Sequence, residues 1–188
     1  MSEYRFTVET LPTPTGTMTL VTDEAGRVRA ADWDEHRERR EQLMQRYYGD
    51  GVQLIAAAGP TLARVALESY FEGDLAALDA VQTETRGTPF QRAVWAALRE
   101  IPPGETMSYG ALAAKIGKPK AVRAVGLANG ANPIAIIVPC HRVIGADRTL
   151  TGYGGGLARK RWLIDHESGR GKGQAALPLA QPAGCGPI

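Results

Sequence analysis

The segment 107–128, MSYGALAAKIGKPKAVRAVGLA, decides how the second half of this chain folds. Leu112 and Ile116 stand four apart within Ser108 to Ile116, which places both on the inner face of a short helix. Gly117 and Pro119 break that helix. Lys120 to Ala128 reads as the next one, basic on one side, with Gly126 weakening its last turn. Short helix, tight glycine-containing turn and short basic helix is the pattern of a helix-turn-helix unit. Taken alone it fits an ordinary pair of packed helices as well.

Upstream, Thr88-Pro89-Phe90-Gln91 predicts a helix start, with Thr88 as N-cap, Pro89 in the first helical position and Gln91 completing a capping box. Phe90, Val94, Leu98 and Ile101 follow at helical spacing until Pro102-Pro103-Gly104 ends the run. Downstream, Ile134–Val138 is continuously apolar and therefore buried, and it leads into Pro139-Cys140-His141-Arg142. Gly152–Gly156 reads as loop, and Leu157–Glu167 as a final helix with Trp162 and Leu163 inward. From Ser168 onward Gly, Ala and Pro predict a disordered tail, in which Cys185 carries no function.

The first third reads differently. Tyr4–Thr10, Thr17–Thr22 and Val28–Trp33 carry strand formers separated by turn residues. Glu35–Tyr48 and Pro60–Phe71 read as helices, the second with Leu62, Val65, Ala66 and Ser69 on one face, and Val52–Ala56 as a strand. Gly73–Arg86 is acidic and loop-like and marks a boundary. The expectation is an α+β chain. A β-rich domain with flanking helices, 1–85, packs on a mostly helical domain, 86–167, that contains the helix-turn-helix; 168–188 is tail.

Composition narrows the function. Two cysteines and three histidines provide neither a disulfide framework nor a metal cluster. No apolar span is long enough for a membrane helix and no signal-peptide pattern opens the chain, which predicts a reduced, cytoplasmic protein. Residues 1–85 hold 8 Lys+Arg against 15 Asp+Glu, and residues 86–188 hold 14 against 5. A basic half points to a polyanionic partner, and equally to a solvated surface that complements the acidic half.

Cys140 is the candidate nucleophile. A cysteine attacks as its thiolate, which a nearby imidazole or cation promotes. His141 and Arg142 adjoin it, although in extended chain neighbours point to opposite faces. For an isolated Cys-His pair, a small buried hydrophobe is the better reading.

The wider stretch changes that reading. Arg123-Ala-Val-Gly, Asn132-Pro133, Val138-Pro-Cys-His-Arg-Val-Ile144, Gly152-Tyr-Gly-Gly-Gly156 and Lys160 through His166-Glu167 occur in that order, preceded by Thr88-Pro-Phe-Gln91 and Met107-Ser-Tyr109. Over residues 86–167 the chain closely resembles the O6-alkylguanine-DNA alkyltransferases. Over 1–85 the resemblance is looser, in a region where that family carries a variable, ribonuclease-H-like domain. The resemblance implies DNA repair in which Cys140 takes the alkyl group from guanine O6, once and irreversibly, with O4-alkylthymine as an open second substrate. His141 would take the thiol proton through water and Glu167 would orient His141. Tyr109 would donate to the flipped base and crowd its phosphate. The backbone N–H of Gly154, where the family often has Ser, would face the guanine oxygen. Carbonyls of Cys140 and Val143 would select guanine. Tyr153 and Lys160 would shape the pocket and hold its loop, Arg123 would fill the vacated stack, and Asn132 would tie the recognition helix to the active-site segment. The partner is double-stranded DNA, entered by a monomer through the minor groove, with Ala121, Ala124, Gly126 and Ala128 permitting close approach and Lys115, Lys118 and Lys120 as candidate phosphate contacts. No cofactor is implied. The Gly154–Gly156 run suggests a roomy pocket that accepts adducts larger than methyl. A DNA-binding relative without transfer activity, a cysteine hydrolase and a sequence-specific helix-turn-helix regulator are the competing readings; only the first shares the motifs, and Cys140 argues against it.

Overall fold

The computed structural model describes residues 4–170 and Leu177. β1 (Tyr4–Leu11), β2 (Met18–Asp23) and β3 (Val28–Trp33) form an antiparallel meander. β4 (Val52–Ala56) joins the far side of β1 in parallel, which gives the order β3-β2-β1-β4. The long crossover to β4 carries α1 (Arg37–Tyr48), whose Met44 and Tyr48 cover Phe6, Val21 and Ala30 on one face of the sheet. The opposite face, with Leu11, Met18, Leu20, Ala31 and Trp33, is continuous with the core of the C-terminal helices.

Every residue of β2 and β3 is therefore buried, polar ones included. Where a sheet is covered on both faces, the alternation that marks a half-exposed strand is lost. Asp23 and Arg29 in this layer satisfy one another, Nε donating to Oδ2 at 2.8 Å.

α2 (Leu62–Glu72) begins at Thr61, whose hydroxyl accepts from Arg64 N at 3.3 Å. It buries Ala63, Leu67 and Tyr70, a stripe spaced by four and three, while Leu62 and Val65 are 87% and 46% exposed. Of the four residues that the sequence puts on one face, Leu62 and Val65 thus lie outward while Ala66 packs against the core. A short 3-10 helix, Leu75–Ala80, occupies the segment expected to be loop.

α3 (Pro89–Arg99) has the expected capping box: Thr88 Oγ1 accepts from Gln91 N (3.2 Å) and Gln91 Oε1 from Thr88 N (2.9 Å). β5 (Met107–Ser108) pairs in parallel with β6 (Val143–Ile144). α4 (Tyr109–Lys115) and α5 (Val122–Gly130) form the helix-turn-helix. Gly117, at φ +71°, makes the turn, and Lys118 N reaches back to Ala113 O (2.8 Å). α5 starts two residues later than expected, because Lys118 to Ala121 is taken up by that turn.

α6 (Leu157–Glu167) closes the fold, and Ser168 to Arg170 continue as turn. Leu177 N donates to Pro14 O at 2.8 Å, so the expected tail is tied down at that residue. The rest of it, with Cys185, lies outside the described residues. Among the described residues no helix is long and apolar enough to cross a membrane, and no group of His, Cys, Asp and Glu could hold a metal ion.

Candidate active site

The chain reaches Cys140 through a series of tight turns. Ala31 N donates to Pro133 O (2.9 Å) and Ala135 N to Ala31 O (2.8 Å), which anchors the segment to the edge of β3. Ile136 then adopts φ +68°, with Ile137 N bonded to Ala135 O at 2.8 Å, a γ-turn of the strained, positive-φ hand. A β-branched residue in that conformation costs about 1–3 kcal/mol. Pro139, at φ −81° and ψ 64°, makes a second γ-turn of the common hand, with Cys140 N on Val138 O at 2.8 Å. Cys140–Arg142 is one 3-10 turn. The apolar run is buried as expected, but it is not extended strand, so successive side chains need not alternate.

Asn132 holds this geometry. Its Nδ2 lies 2.8 Å from Val138 O, 3.2 Å from Ile134 O and 3.1 Å from Cys140 Sγ, and its Oδ1 accepts from Ile134 N at 3.0 Å. Cys140 and Asn132 are both buried. Burial pushes the thiol up from its ordinary range, against the Asn132 hydrogen bond and the positive charges of Arg39 and Lys160. The resting thiol is therefore neutral, and forming the thiolate requires a base.

The base expected from the resemblance, His141, lies one residue on. His141 Nε2 is 2.8 Å from Glu167 Oε1, both side chains fully buried. Glu167 accepts in all directions: Tyr70 Oη (2.9 Å) and Arg142 Nη2 (2.8 Å) also reach Oε1, while Arg142 Nε (2.9 Å) and Gly104 N (3.3 Å) reach Oε2. Burial works to raise its pKa, but His141 and Arg142 hold the carboxyl far below the usual carboxylate range. An ionised carboxylate makes Nε2 the donor and leaves Nδ1 as the acceptor. Nδ1 is buried and has no hydrogen-bond partner among the described residues.

The loop following β6 closes the other side. Buried Lys160 donates to Thr151 O at 2.7 Å, and Tyr109 Oη lies 3.4 and 3.5 Å from the carbonyls of Thr151 and Gly152. Burial brings the Lys160 ammonium down to about 8 and raises the Tyr109 phenol. Asn129, on α5, donates to Cys140 O at 3.3 Å. That carbonyl, expected to face a base, also accepts from the backbone N–H of Val143, so both its lone pairs already have protein donors. Val143 is fully buried within the β5–β6 ladder. The Tyr153 ring packs edge-on to Trp33, 6.0 Å between centroids.

A Cβ on Gly154 would stand 3.3 Å from the Arg39 guanidinium, and one on Gly155 2.5 Å from the Trp33 ring, whereas one on Gly156 would meet nothing within 4 Å. On the Cβ side of Gly154 and Gly155 the space is thus taken by α1 and β3. Overpacking a buried ring costs about 1–3 kcal/mol. Gly155→Ala is expected to lose that much stability in urea denaturation, and Gly154→Ser much less, because the guanidinium can shift.

Arg123 is exposed on α5, apart from Cys140's buried cluster. Lys115 pairs with Glu100 at 2.9 Å, whereas Lys118 and Lys120 are exposed and form no ion pair with a described residue. Sequence reasoning missed Tyr70, Arg39 and Asn129. Arg39, on α1, bonds Asp32, Gly130 O (2.8 Å) and Asn132 O (3.1 Å), and so ties the sheet to the end of α5. Nothing local marks Arg39 or Tyr70, whose partners lie about ninety residues away.

A buried thiol beside a histidine–carboxylate pair, set against a helix-turn-helix, defines a protein that uses cysteine as nucleophile next to a nucleic-acid-binding motif. The comparisons agree. Residues 89–169 match the family model for the 6-O-methylguanine DNA methyltransferase DNA-binding domain. The methylated-DNA–protein-cysteine methyltransferase of Salmonella typhimurium is 52% identical over 164 residues, 87% of this chain and 96% of that one. The Mycobacterium tuberculosis protein of the same name is 60% identical over 111 residues, 59% of this chain and 67% of that one. Among solved structures, Mycobacterium tuberculosis OGT in complex with DNA has a TM-score of 0.70 at 42% identity, covering 88% of this chain and 94% of that one. The O6-methylguanine-DNA methyltransferase of Pyrococcus kodakaraensis has a TM-score of 0.66 at 26% identity, covering 86% and 98%. This chain belongs to the methylated-DNA–protein-cysteine methyltransferase family.

Proposed function

We propose that the protein repairs DNA by moving the alkyl group of O6-alkylguanine onto Cys140 in a single turnover. The observation that carries this reading is the hydrogen-bonded pair His141–Glu167 directly after Cys140 in the chain. It is buried, with the nucleophile neutral at rest and the imidazole fixed by an ionised carboxylate. His141 Nδ1, the free acceptor, takes the thiol proton through a bridging water, and Glu167 stabilises the imidazolium that results. The S–C bond forms as the C–O6 bond breaks, and the electron pair passes to the base, which leaves as guanine after taking one proton. Tyr109 supplies the donor to the base and the Gly154 N–H faces O6; such pre-aimed donors matter most where charge develops. The target carbon is buried in the duplex, so the nucleotide is turned out of the stack. A monomer does this from the minor groove, with Arg123 filling the gap and the small residues of α5 allowing close approach. Lys118 and Lys120 contact phosphates, and Lys115 is withdrawn from that role by Glu100. A thiol that must stay reduced suits a cytoplasmic protein.

A thioether does not hydrolyse readily, and no second nucleophile adjoins Cys140 among the described residues. With duplex O6-methylguanine in excess, restored guanine should rise to one per chain and stop. Continued turnover would favour a cysteine hydrolase, and binding without any restored guanine would leave a non-transferring damage binder.

A further inference from the structure

A second concave site lies beside the active site and takes no part in the chemistry above. It is a cavity of about 930 Å³ whose walls include Ser108, Ile144, Arg148, Leu157, Arg161 and Arg170. Ser108 and Ile144 face one another across the β5–β6 ladder, and Ser108 immediately precedes Tyr109. The Tyr109 ring also touches α5, where a Cβ on Gly126 would lie 3.9 Å away. The recognition helix therefore meets Tyr109 itself, and the cavity reaches the residue before it.

The charge is one-sided. Three guanidinium groups line the cavity against one carboxylate, Asp165, which stands 4.0 Å from Arg170. Arg148 and Arg161 are exposed and form no ion pair with a described residue. The first turn of α6, at Leu157 and Ala158, adds the positive end of a helix dipole to the same wall. Arg148 also stands in a conformation that disfavours it. Its φ is +64°, where a side chain costs about 1–2 kcal/mol relative to glycine. The loop that imposes it is tightly bonded: Gly145 N to Thr149 O (2.9 Å), Arg148 N to Gly145 O (3.0 Å), and Thr149 Oγ1 to Asp147 Oδ1 (2.6 Å). An arginine held at a strained position, at the rim of a basic cavity, points to an anionic ligand.

We infer that this cavity binds a backbone phosphate of the damaged strand, beside the flipped nucleotide. The inference rests on the DNA-repair reading above. A strand whose nucleotide enters beside Tyr109 continues on both sides of it. One side meets α5 with Arg123 and Lys120; the other runs along Ser108 toward Arg148 and Arg161. Such contacts hold the strand in register without reading its sequence.

The test is fluorescence-anisotropy binding of a labelled duplex across a salt series, with the full chain and with Arg148→Ala/Arg161→Ala. Each lost phosphate contact lowers the slope of log K against log salt by about 0.9. The double variant should therefore lose about one unit of slope and bind about tenfold more weakly at moderate salt. Arg46→Ala, which removes an exposed charge from the far end of α1, should leave the slope unchanged. Arg148→Gly relieves the strained φ; it should unfold no earlier than the parent and still bind DNA more weakly, which a merely structural arginine would not do. Equal slopes and affinities for the double variant and the parent, in protein that transfers alkyl groups, would overturn this site and leave the repair reading intact. Weakened binding in a parent protein that transfers nothing would overturn the repair reading instead.

Discussion

Glu167→Ala is expected to destabilise the protein by about 3–5 kcal/mol, as removal of one member of a buried ion pair does. Five donors converge on this carboxylate, from Tyr70, Gly104, His141 and Arg142. Without it the Arg142 guanidinium keeps only Ile101 O as a described partner, and a buried cation is left without its counter-charge. Urea denaturation measures the loss. The same change frees the His141 ring and removes what stabilises its protonated form, so transfer should slow by about 10²–10⁴-fold. Glu167→Gln keeps the shape and separates the effects: it should restore part of the stability and little of the rate. The pH dependence has a definite sign. The folded carboxyl lies below its unfolded value, so its contribution is complete above about pH 4.5 and is lost as pH falls further. Acid unfolding of Glu167→Ala should accordingly be less steep than that of the parent. A variant as stable as the parent would show that the buried pair is worth no more than its desolvation.

Asn132→Ala should be nearly as severe, by a different route. The side chain bonds Ile134 N and the carbonyls of Ile134 and Val138, all buried, and its Nδ2 lies against the thiol. Each buried group left unpaired costs about 1–3 kcal/mol, so a total of about 3 kcal/mol is expected. The released segment holds the strained Ile136, which should relax once Asn132 no longer pins it. Transfer should fall more than stability predicts, because the thiol loses the one neutral donor that favours its ionised form. Measuring the thiol's reactivity toward a small alkylating agent across pH, alongside the denaturation midpoint, separates the two: the apparent thiol pKa should rise further. An unchanged pH profile would confine Asn132 to a structural role.

What was legible in the sequence was local. The Thr88 capping box, the Gly117 turn and the final helix through Glu167 are set by residues within a few positions of one another, and each appears where the pattern put it; the helix before Pro102 ends at Arg99, two residues short of Ile101. The placement of Cys140 and His141 next to Glu167 was readable from motifs, because two short segments carry them. What could not be read depends on contacts across the chain. The face that α2 buries is chosen by the core it meets, so Leu62 and Val65 lie outward despite their character. Ile134–Val138 looks like a buried strand, and only its pairing with Ala31 and its bonds to Asn132 make it a string of turns. Gly154–Gly156 suggested space, yet Arg39 and Trp33 from the N-terminal half stand against the first two of these glycines. Through Tyr70 and Arg39 the N-terminal half also reaches Glu167 and Asn132, a contribution without any sequence signature.

The most direct test of the account is the place where the alkyl group ends. Duplex DNA carrying isotope-labelled O6-methylguanine is mixed with excess protein, the protein is digested, and the labelled peptide is identified by mass. The account predicts one methyl group per modified chain, on the peptide that contains Cys140, and none in Cys140→Ser protein that still binds the duplex. Label on any other residue, or label in the Cys140→Ser variant, would contradict it.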